Sequence, residues 1–178
     1  MGDFDSVNLF FEDESRFGLF TRNGKSLTAR AVKPVCRFRQ VFKSTWLFGA
    51  FSPITGAHFE LILPHCDSEN FQIFLDEMSK EKPKELKILV LDNGAFHKAK
   101  ELRIPGNIIL VFLPPYSPEL NPAEKIWARF KRAFTNIYFS KLEDVEDFIS
   151  EKVNTVPETE IMKTCSFDYI FSDLIWTV

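Results

Sequence analysis

An apolar run from Lys87 to Leu91 ends in Asp92-Asn93-Gly94, and a proline-rich stretch from Pro114 to Pro122 delivers Glu124 to a helix start. A third acidic group, Glu12-Asp13-Glu14, closes the apolar run Val7 to Phe11. Carboxylates gathered from the ends of elements suit hard cations, which prefer oxygen ligands, and two such cations about 4 Å apart need bridging anions between them. Phosphodiester chemistry assisted by two divalent ions uses about this number of carboxylates. Each residue also has a plainer role. Asp-Asn-Gly after a strand is ordinary turn chemistry. A glutamate early in a helix reaches back to the cap backbone and favours the helix dipole. Alternation along a strand says only that Asp13 faces away from both Glu12 and Glu14. Carboxylates brought together would repel one another and rise in pKa until a cation joined them, so their convergence would itself mark a metal site.

Around these three groups stand residues with two readings each. His97, in the segment that follows Asp92, is placed to orient a water or touch a phosphate, or else to cap a helix as a half-buried ring. Asn93 hydrogen-bonds a metal ligand or completes the turn. Pro114, Pro115, Pro118 and Pro122 stiffen the approach to Glu124, because each fixes its own φ and restricts the residue before it.

The elements that must position these groups are legible as periodicities. Val7 to Phe11 and Phe17 to Thr21 suit two short strands with the acidic cluster at a turn between them. Trp46 to Phe51 and His58 to Leu63 suit a hairpin around Ser52-Pro53-Ile54-Thr55-Gly56. Asp67 or Ser68 caps a helix whose Phe71, Phe74, Leu75 and Met78 recur at helical spacing, and which stops before Pro83. Lys87 to Leu91 and Ile108 to Leu113 are continuous apolar runs of the kind buried in a mixed or parallel sheet, separated by a stretch long enough for a crossover helix. Asn121 caps the next helix, with Pro122 in its first turn and Glu124 three residues after the cap. Ile126, Trp127, Phe130 and Phe134 then share one face, and Glu124 falls about 115° from its centre, at the rim, with Lys131 and Arg132 on its side. A further helix covers Lys141 to Val153, and the tail from Phe167 to Trp176 is apolar enough to pack. Strands first, then strands alternating with helices, predict an α/β fold with a mixed sheet covered by helices.

With 178 residues, 45% of them hydrophobic and 20 of them Phe, the chain can build a single core. No apolar run approaches the roughly 20 residues of a membrane helix, and MGDFDSVN lacks the layout of a secretory signal, so the expectation is a soluble, cytoplasmic protein without a membrane partner. Cys36, Cys66 and Cys165 are odd in number and far apart, which argues against a disulfide framework or a zinc cluster and for reduced, structural thiols. Net charge is −3 but uneven. Thr21 to Lys43 holds seven basic residues (Arg22, Lys25, Arg30, Lys33, Arg37, Arg39 and Lys43) and no acidic one, which leaves a balance of −10 elsewhere. Such a segment on an acidic protein fits a local phosphate-binding surface, and fits equally a solvated hairpin balanced by acidic neighbours.

Three motifs carry a family resemblance: Glu12-Asp13-Glu14-Ser15-Arg16-Phe17, Leu91-Asp92-Asn93-Gly94-Ala95-Phe96-His97, and Pro114-Pro115-Tyr116-Ser117-Pro118-Glu119-Leu120-Asn121-Pro122-Ala123-Glu124. With them the chain resembles the catalytic domain of DDE transposases of the Tc/mariner superfamily, nearest the bacterial insertion-sequence 630 branch. The resemblance implies a ribonuclease H-like fold, its first acidic residue on the first strand, its second just past the fourth strand and its third on a following helix. It implies Asp13, Asp92 and Glu124 as the catalytic triad and as ligands of two Mg²⁺ or Mn²⁺ ions. It also implies cleavage of DNA at transposon ends and attack of the freed 3′-hydroxyl on target DNA, by a homodimer assembled on DNA in the bacterial cytoplasm. The phosphate contacts expected with it are Arg22, Lys25, Arg30, Lys33, Arg37, Arg39, Lys131 and Arg132. Relatives carry helix-turn-helix units before this domain, whereas here the first motif begins by Val7. The expectation is therefore one catalytic domain over 1–178 with a basic insertion at about 21–43, and end recognition from a separate or fused helix-turn-helix unit. The sequence departs from the mariner pattern in the 31 residues between Asp92 and Glu124, a shorter interval than is usual there. The alternatives are a stand-alone ribonuclease H-like nuclease, which the proline-rich motif disfavours, and an inactive DNA-binding or dimerisation module, against which the three intact acidic positions speak.

Overall fold

The first strand runs straight through the acidic cluster. In the computed structural model, which describes residues 4–25, 27–35 and 37–171, β1 spans Ser6–Gly18 without interruption. It replaces the two short strands and intervening turn expected from the sequence. The reason lies in its neighbour β2 (Ser44–Phe51), which runs antiparallel to it with Glu12 opposite Ala50, Asp13 opposite Gly49 and Glu14 opposite Phe48. A charged triplet reads as a turn only while no partner strand is known to take its backbone groups.

The predicted hairpin is present. β3 (His58–Leu63) pairs antiparallel with β2, and the turn between them holds Gly56 at a φ of 76°, where a Cβ would lie 2.3 Å from the carbonyl oxygen of Glu158. Only glycine is comfortable there. The Ser52 hydroxyl donates to Asn8 Oδ1 at 2.8 Å and Asn8 Nδ2 donates to Thr55 Oγ1 at 3.0 Å, which stitches the turn to the start of β1.

Helix α1 (Ser68–Lys80) is capped by Asp67, whose carboxylate accepts from the Asn70 amide at 2.9 Å. Its Phe71, Phe74, Leu75 and Met78 are completely buried against Phe10, Phe48, Leu89 and Leu91 of the sheet. β4 (Glu85–Leu91) and β5 (Ile108–Phe112) then add parallel to β1, giving the order β3-β2-β1-β4-β5. The connection between β4 and β5 contains no crossover helix, contrary to expectation. It holds a single 3₁₀ segment, Ala95–Lys98, and otherwise turns and irregular chain. Phe96 and Leu102, its main apolar residues, lack helical spacing, and they pack beside α1 instead.

The opposite face of the sheet is covered by α2 (Ala123–Ala133), α3 (Leu142–Thr155) and α4 (Glu158–Cys165). Ile126, Trp127, Phe130 and Phe134 supply the buried face that the sequence predicts, against Phe17, Leu47 and Phe51, with Val145, Ile149 and Ile161 behind them. An Arg129–Glu160 ion pair joins α2 to α4. The short α5 (Asp168–Phe171) seats Ile170 on Phe11 and Val90, and the rest of the predicted apolar tail, to Trp176, lies outside the described residues. Cys66 and Cys165 are free thiols, while Cys36 lies outside the described residues. Among the described residues no helix is long and apolar enough to cross a membrane.

Candidate active site

Asp13, Asp92 and Glu124 come from three elements and line one cleft of about 450 Å³, walled by the loop Pro114 to Pro118. Asp13 projects from β1 on the face that also carries Phe17. Its cross-strand partner is Gly49. A Cβ on Gly49 would lie 2.7 Å from Trp127 Cη2, so the missing side chain is what lets the Trp127 indole, edge-on to Phe51 at 5.3 Å, settle at the register of Asp13. Trp127 in turn fixes how α2 lies, and Glu124 stands one turn earlier on that helix, exposed at the rim. Asn121 completes the join: its Nδ2 donates to the Glu12 carbonyl at 2.8 Å and its Oδ1 accepts from the Ala123 amide at 3.1 Å. The helix begins one residue later than expected, with Pro122 in the cap position, yet Asn121 still satisfies a helix-start amide.

Asp92 follows β4 directly. Its Oδ1 accepts from the Gly94 amide at 2.7 Å, an Asx-type turn. Gly94 is tightly enclosed, since a Cβ there would meet Asp92 Oδ1 at 3.0 Å and His97 Nδ1 at 3.1 Å. Asn93 also lines the cleft, but its side chain is engaged by the chain around it. Its Nδ2 donates to the Leu113 carbonyl and its Oδ1 accepts from Lys98 Nζ, so it ties the end of β4 to the end of β5. Burial raises the Asp13 carboxyl to about 8, reinforced by the negative charges of Glu14, Glu124 and Asp92.

Behind the cleft lies a group that the motifs alone do not reveal. Glu12 and Glu14 project from the α1 side of β1 and converge on His97, with ligand-capable atoms of all three within 4.8 Å of one another. His97 Nε2 is 2.8 Å from Glu14 Oε1 and 3.6 Å from Glu12 Oε2, and Nδ1 is 3.0 Å from Asp92 Oδ1. The Asp92 contact is close in distance but off the hydrogen-bond direction, which leaves Nδ1 without a formal partner. The imidazole, buried against Phe71 at 4.6 Å, thus links Asp92 to the pair of glutamates. Glu12 is fully inaccessible and neither of its carboxyl oxygens has a hydrogen-bond partner. Burial, then the charges of Glu14 and Asp13, hold its pKa well above the usual carboxylate range. The signal in the sequence is the alternation that puts Glu12 and Glu14 on one face; what it lacks is the parallel register of β1 and β4, with Phe11 beside Val90, that brings His97 to them.

The basic candidates lie apart from this cleft. Arg22, Lys25, Arg30, Lys33 and Arg37 are exposed on the excursion between β1 and β2, and Lys131 and Arg132 lie at the end of α2. Arg39 is different. Its guanidinium donates to the carbonyls of Phe139, at 2.9 Å, and Ser140, and its backbone pairs with Thr21, so it anchors the excursion to the body of the protein.

Over residues 8–146, which include all three cleft carboxylates, the sequence matches the family described as DDE superfamily endonuclease. The chain belongs to that family. Among curated relatives, the uncharacterized protein y4pE/y4sA of Sinorhizobium fredii (strain NBRC 101917 / NGR234) is 39% identical over 103 residues, 56% of this chain and 76% of its own length. Among solved structures, the Mos1 strand transfer complex superposes with a TM-score of 0.69 at 18% identity, over 89% of this DDE chain and 50% of that one. A pre-cleavage Mos1 transpososome gives 0.70 at 16%, covering 89% and 52%. The Mos1 mariner paired-end complex with Mn gives 0.67 at 19%, covering 89% and 51%. At such identities the likeness is one of fold, and the chain spans about half the length of these solved chains. The ribonuclease H-like expectation holds: the mixed five-stranded sheet is flanked by helices, with Asp13 on β1, Asp92 just past β4 and Glu124 on α2.

Proposed function

We propose that this DDE-family chain is the catalytic domain of a bacterial transposase, with Asp13, Asp92 and Glu124 as its catalytic carboxylates. Its reaction is cleavage of DNA strands at transposon ends followed by attack of the freed 3′-hydroxyl on target DNA. The observation that carries this reading is the convergence of these three carboxylates, from β1, the end of β4 and the start of α2, into a single cleft.

The donor set fits a pair of Mg²⁺ or Mn²⁺ ions. The cleft offers carboxylate oxygens and neither cysteine nor histidine on its lining, the preference of hard cations. Burial first, and then the neighbouring anions Glu14, Glu124 and Asp92, raise the Asp13 carboxyl, and a bound cation would offset both. Two such ions, when bound, would activate the attacking hydroxyl and stabilise the departing oxygen. The protein's own part is positional. Asp13, Asp92 and Glu124 would hold the ions from the three sides of the cleft that they line. The Gly94 amide fixes one Asp92 oxygen, and His97 stands against the same carboxylate from behind. The proline-rich loop and Asn121 hold Glu124 at the rim without freedom to retreat.

In this reading the chain is a single catalytic domain with a basic insertion at about 21–43 that contacts DNA phosphates. It works as a homodimer assembled on DNA in the cytoplasm, and a separate or fused helix-turn-helix unit reads the ends. The test is a cleavage assay on DNA bearing the element's own ends, with and without divalent metal, read for nicked and strand-transferred products. Asp92→Asn should abolish both products while the circular dichroism spectrum stays unchanged, because it replaces an anionic ligand by a neutral one of the same shape. Folded variants of Asp13, Asp92 or Glu124 that cleave normally would overturn the triad. Nicking without strand transfer would favour a stand-alone nuclease.

A further inference from the structure

A second cleft, of about 570 Å³, lies apart from the acidic one. It opens where the excursion folds back on the end of β1, held there by the mutual backbone and hydroxyl hydrogen bonds of Thr21 and Arg39. Its apolar wall is aromatic and faces water. Phe20, Phe38 and Phe42 are 44, 51 and 79% exposed, with Phe38 edge-on to Phe20 at 5.4 Å and Phe42 stacked on it at 5.6 Å. The remaining wall is cationic: Arg16, Arg22, Lys43 and Lys131 line it, no carboxylate does, and none of the four is ion-paired among the described residues.

That combination selects a class of ligand. An apolar protein partner prefers a patch whose centre is depleted of charge. Aromatic faces beside unpaired cations instead suit a planar base joined to a phosphate, the pairing by which proteins hold unstacked nucleotides. The placement agrees. Phe17, at the pocket floor, is on the same face of β1 as Asp13 and about 13 Å along it. Lys131 is two helical turns from Glu124 on the same side of α2, about 10 Å away. At about 3.4 Å per stacked nucleotide, a strand with one phosphate in the acidic cleft arrives here within about three or four nucleotides.

We propose that this pocket holds an unpaired nucleobase of the DNA strand, stacked on Phe20 and Phe42, with its adjacent phosphate on the flanking cations. The proposal rests on the reading of the acidic cleft as a DNA-cleaving site, and its test is kept separate by measuring binding in EDTA, where no cleavage occurs. Three probes are compared with the purified protein: a blunt duplex, the same duplex with a short single-stranded overhang, and that overhang made abasic so that its phosphates remain. The overhang should bind roughly 5- to 150-fold more tightly than the blunt duplex, the range for one stacked base, and the abasic overhang should lose that gain. Phe42→Ala and Phe20→Ala should each remove most of the preference, and Phe42→Trp should keep it. Phe42 is so exposed that its truncation leaves the core intact, and circular dichroism checks this. Equal binding of all three probes, or a preference that survives both alanine variants, overturns the pocket while metal-dependent duplex cleavage leaves the acidic cleft standing. No binding to any probe overturns both. If the alanine variants instead turn a dimer into a monomer in sedimentation and leave the overhang preference unchanged, the pocket is an interface between copies of the chain and the proposal fails.

Discussion

Asp13 shares its cleft with Asp92 and Glu124 and sits between Glu12 and Glu14 along the chain, and this sets how the domain answers to pH. Its carboxyl is raised to about 8, chiefly by burial. The folded protein therefore holds a proton there that the unfolded chain gives up near pH 4. The associated stability is fully present below about pH 4 and is lost as pH rises through about 8. The melting temperature of the metal-free protein should thus fall between pH 6 and pH 8.5, and Asp13→Asn should flatten that fall. Added Mg²⁺ should raise the melting temperature more at the upper end, where no proton has to be displaced. Thermal scans with and without metal check both. Burial raises the Glu12 carboxyl in the same direction, so Glu12→Gln, which keeps the shape without the charge, should be tolerated far better than Glu12→Ala. Glu12→Ala should cost on the order of 2–5 kcal/mol, the range for emptying a buried site of similar size. His97 stands 3.0 Å from Asp92, so any effect on the proposed chemistry should pass through that carboxylate. His97→Ala should lower metal-dependent cleavage by about 10- to 100-fold, as removing the outer partner of a metal ligand does, with little change in DNA affinity; a variant that binds DNA poorly and cleaves normally once saturated would contradict that role.

At the level of elements, the site depends on how α2 is laid on β1 and β2. Gly49→Ala would place a methyl where the Trp127 ring now sits. It should destabilise the fold by about 1–3 kcal/mol and lower cleavage at saturating DNA, because the helix carrying Glu124 must shift. Chemical denaturation and single-turnover kinetics separate the two effects. This contact shows why the sequence is legible in some places only. Helices α1 and α2 can be read because cap, apolar period and stop signal are all local: Asp67 before α1, Asn121 and Pro122 before α2. β1 reads as two pieces because Glu12-Asp13-Glu14 carries strong local polarity, while the β2 backbone that makes it a strand lies more than thirty residues away. The three cleft carboxylates are legible from motifs at element ends. The Glu12, Glu14 and His97 group is not, since only the parallel pairing of β1 with β4 brings it together. The Asn121 bond to the Glu12 carbonyl, across 109 residues, leaves no trace in any local window.

Over the whole molecule, a net charge of −3 conceals a basic excursion set against a remainder of −10. An acidic body repels DNA wherever the excursion does not face it, so phosphate contacts should concentrate on one side and orient the duplex toward the cleft. The geometry also divides the basic residues into two kinds. Arg22 and Arg37 are exposed, whereas the Arg39 guanidinium is committed to the Phe139 and Ser140 carbonyls. Binding constants measured across a salt series should distinguish them. Arg22→Gln and Arg37→Gln should each lower the slope of log K against log salt by about 0.9 for every phosphate left without its cation, without altering the fold. Arg39→Gln should leave the excursion unpinned and open the segment around residues 21–43 to limited proteolysis, which the other two variants should not do. Should the slope fall for Arg39→Gln while the excursion stays protease-resistant, and stay put for Arg22→Gln and Arg37→Gln, the excursion touches DNA through the wrong residues for this arrangement and its exposed cations are solvated surface.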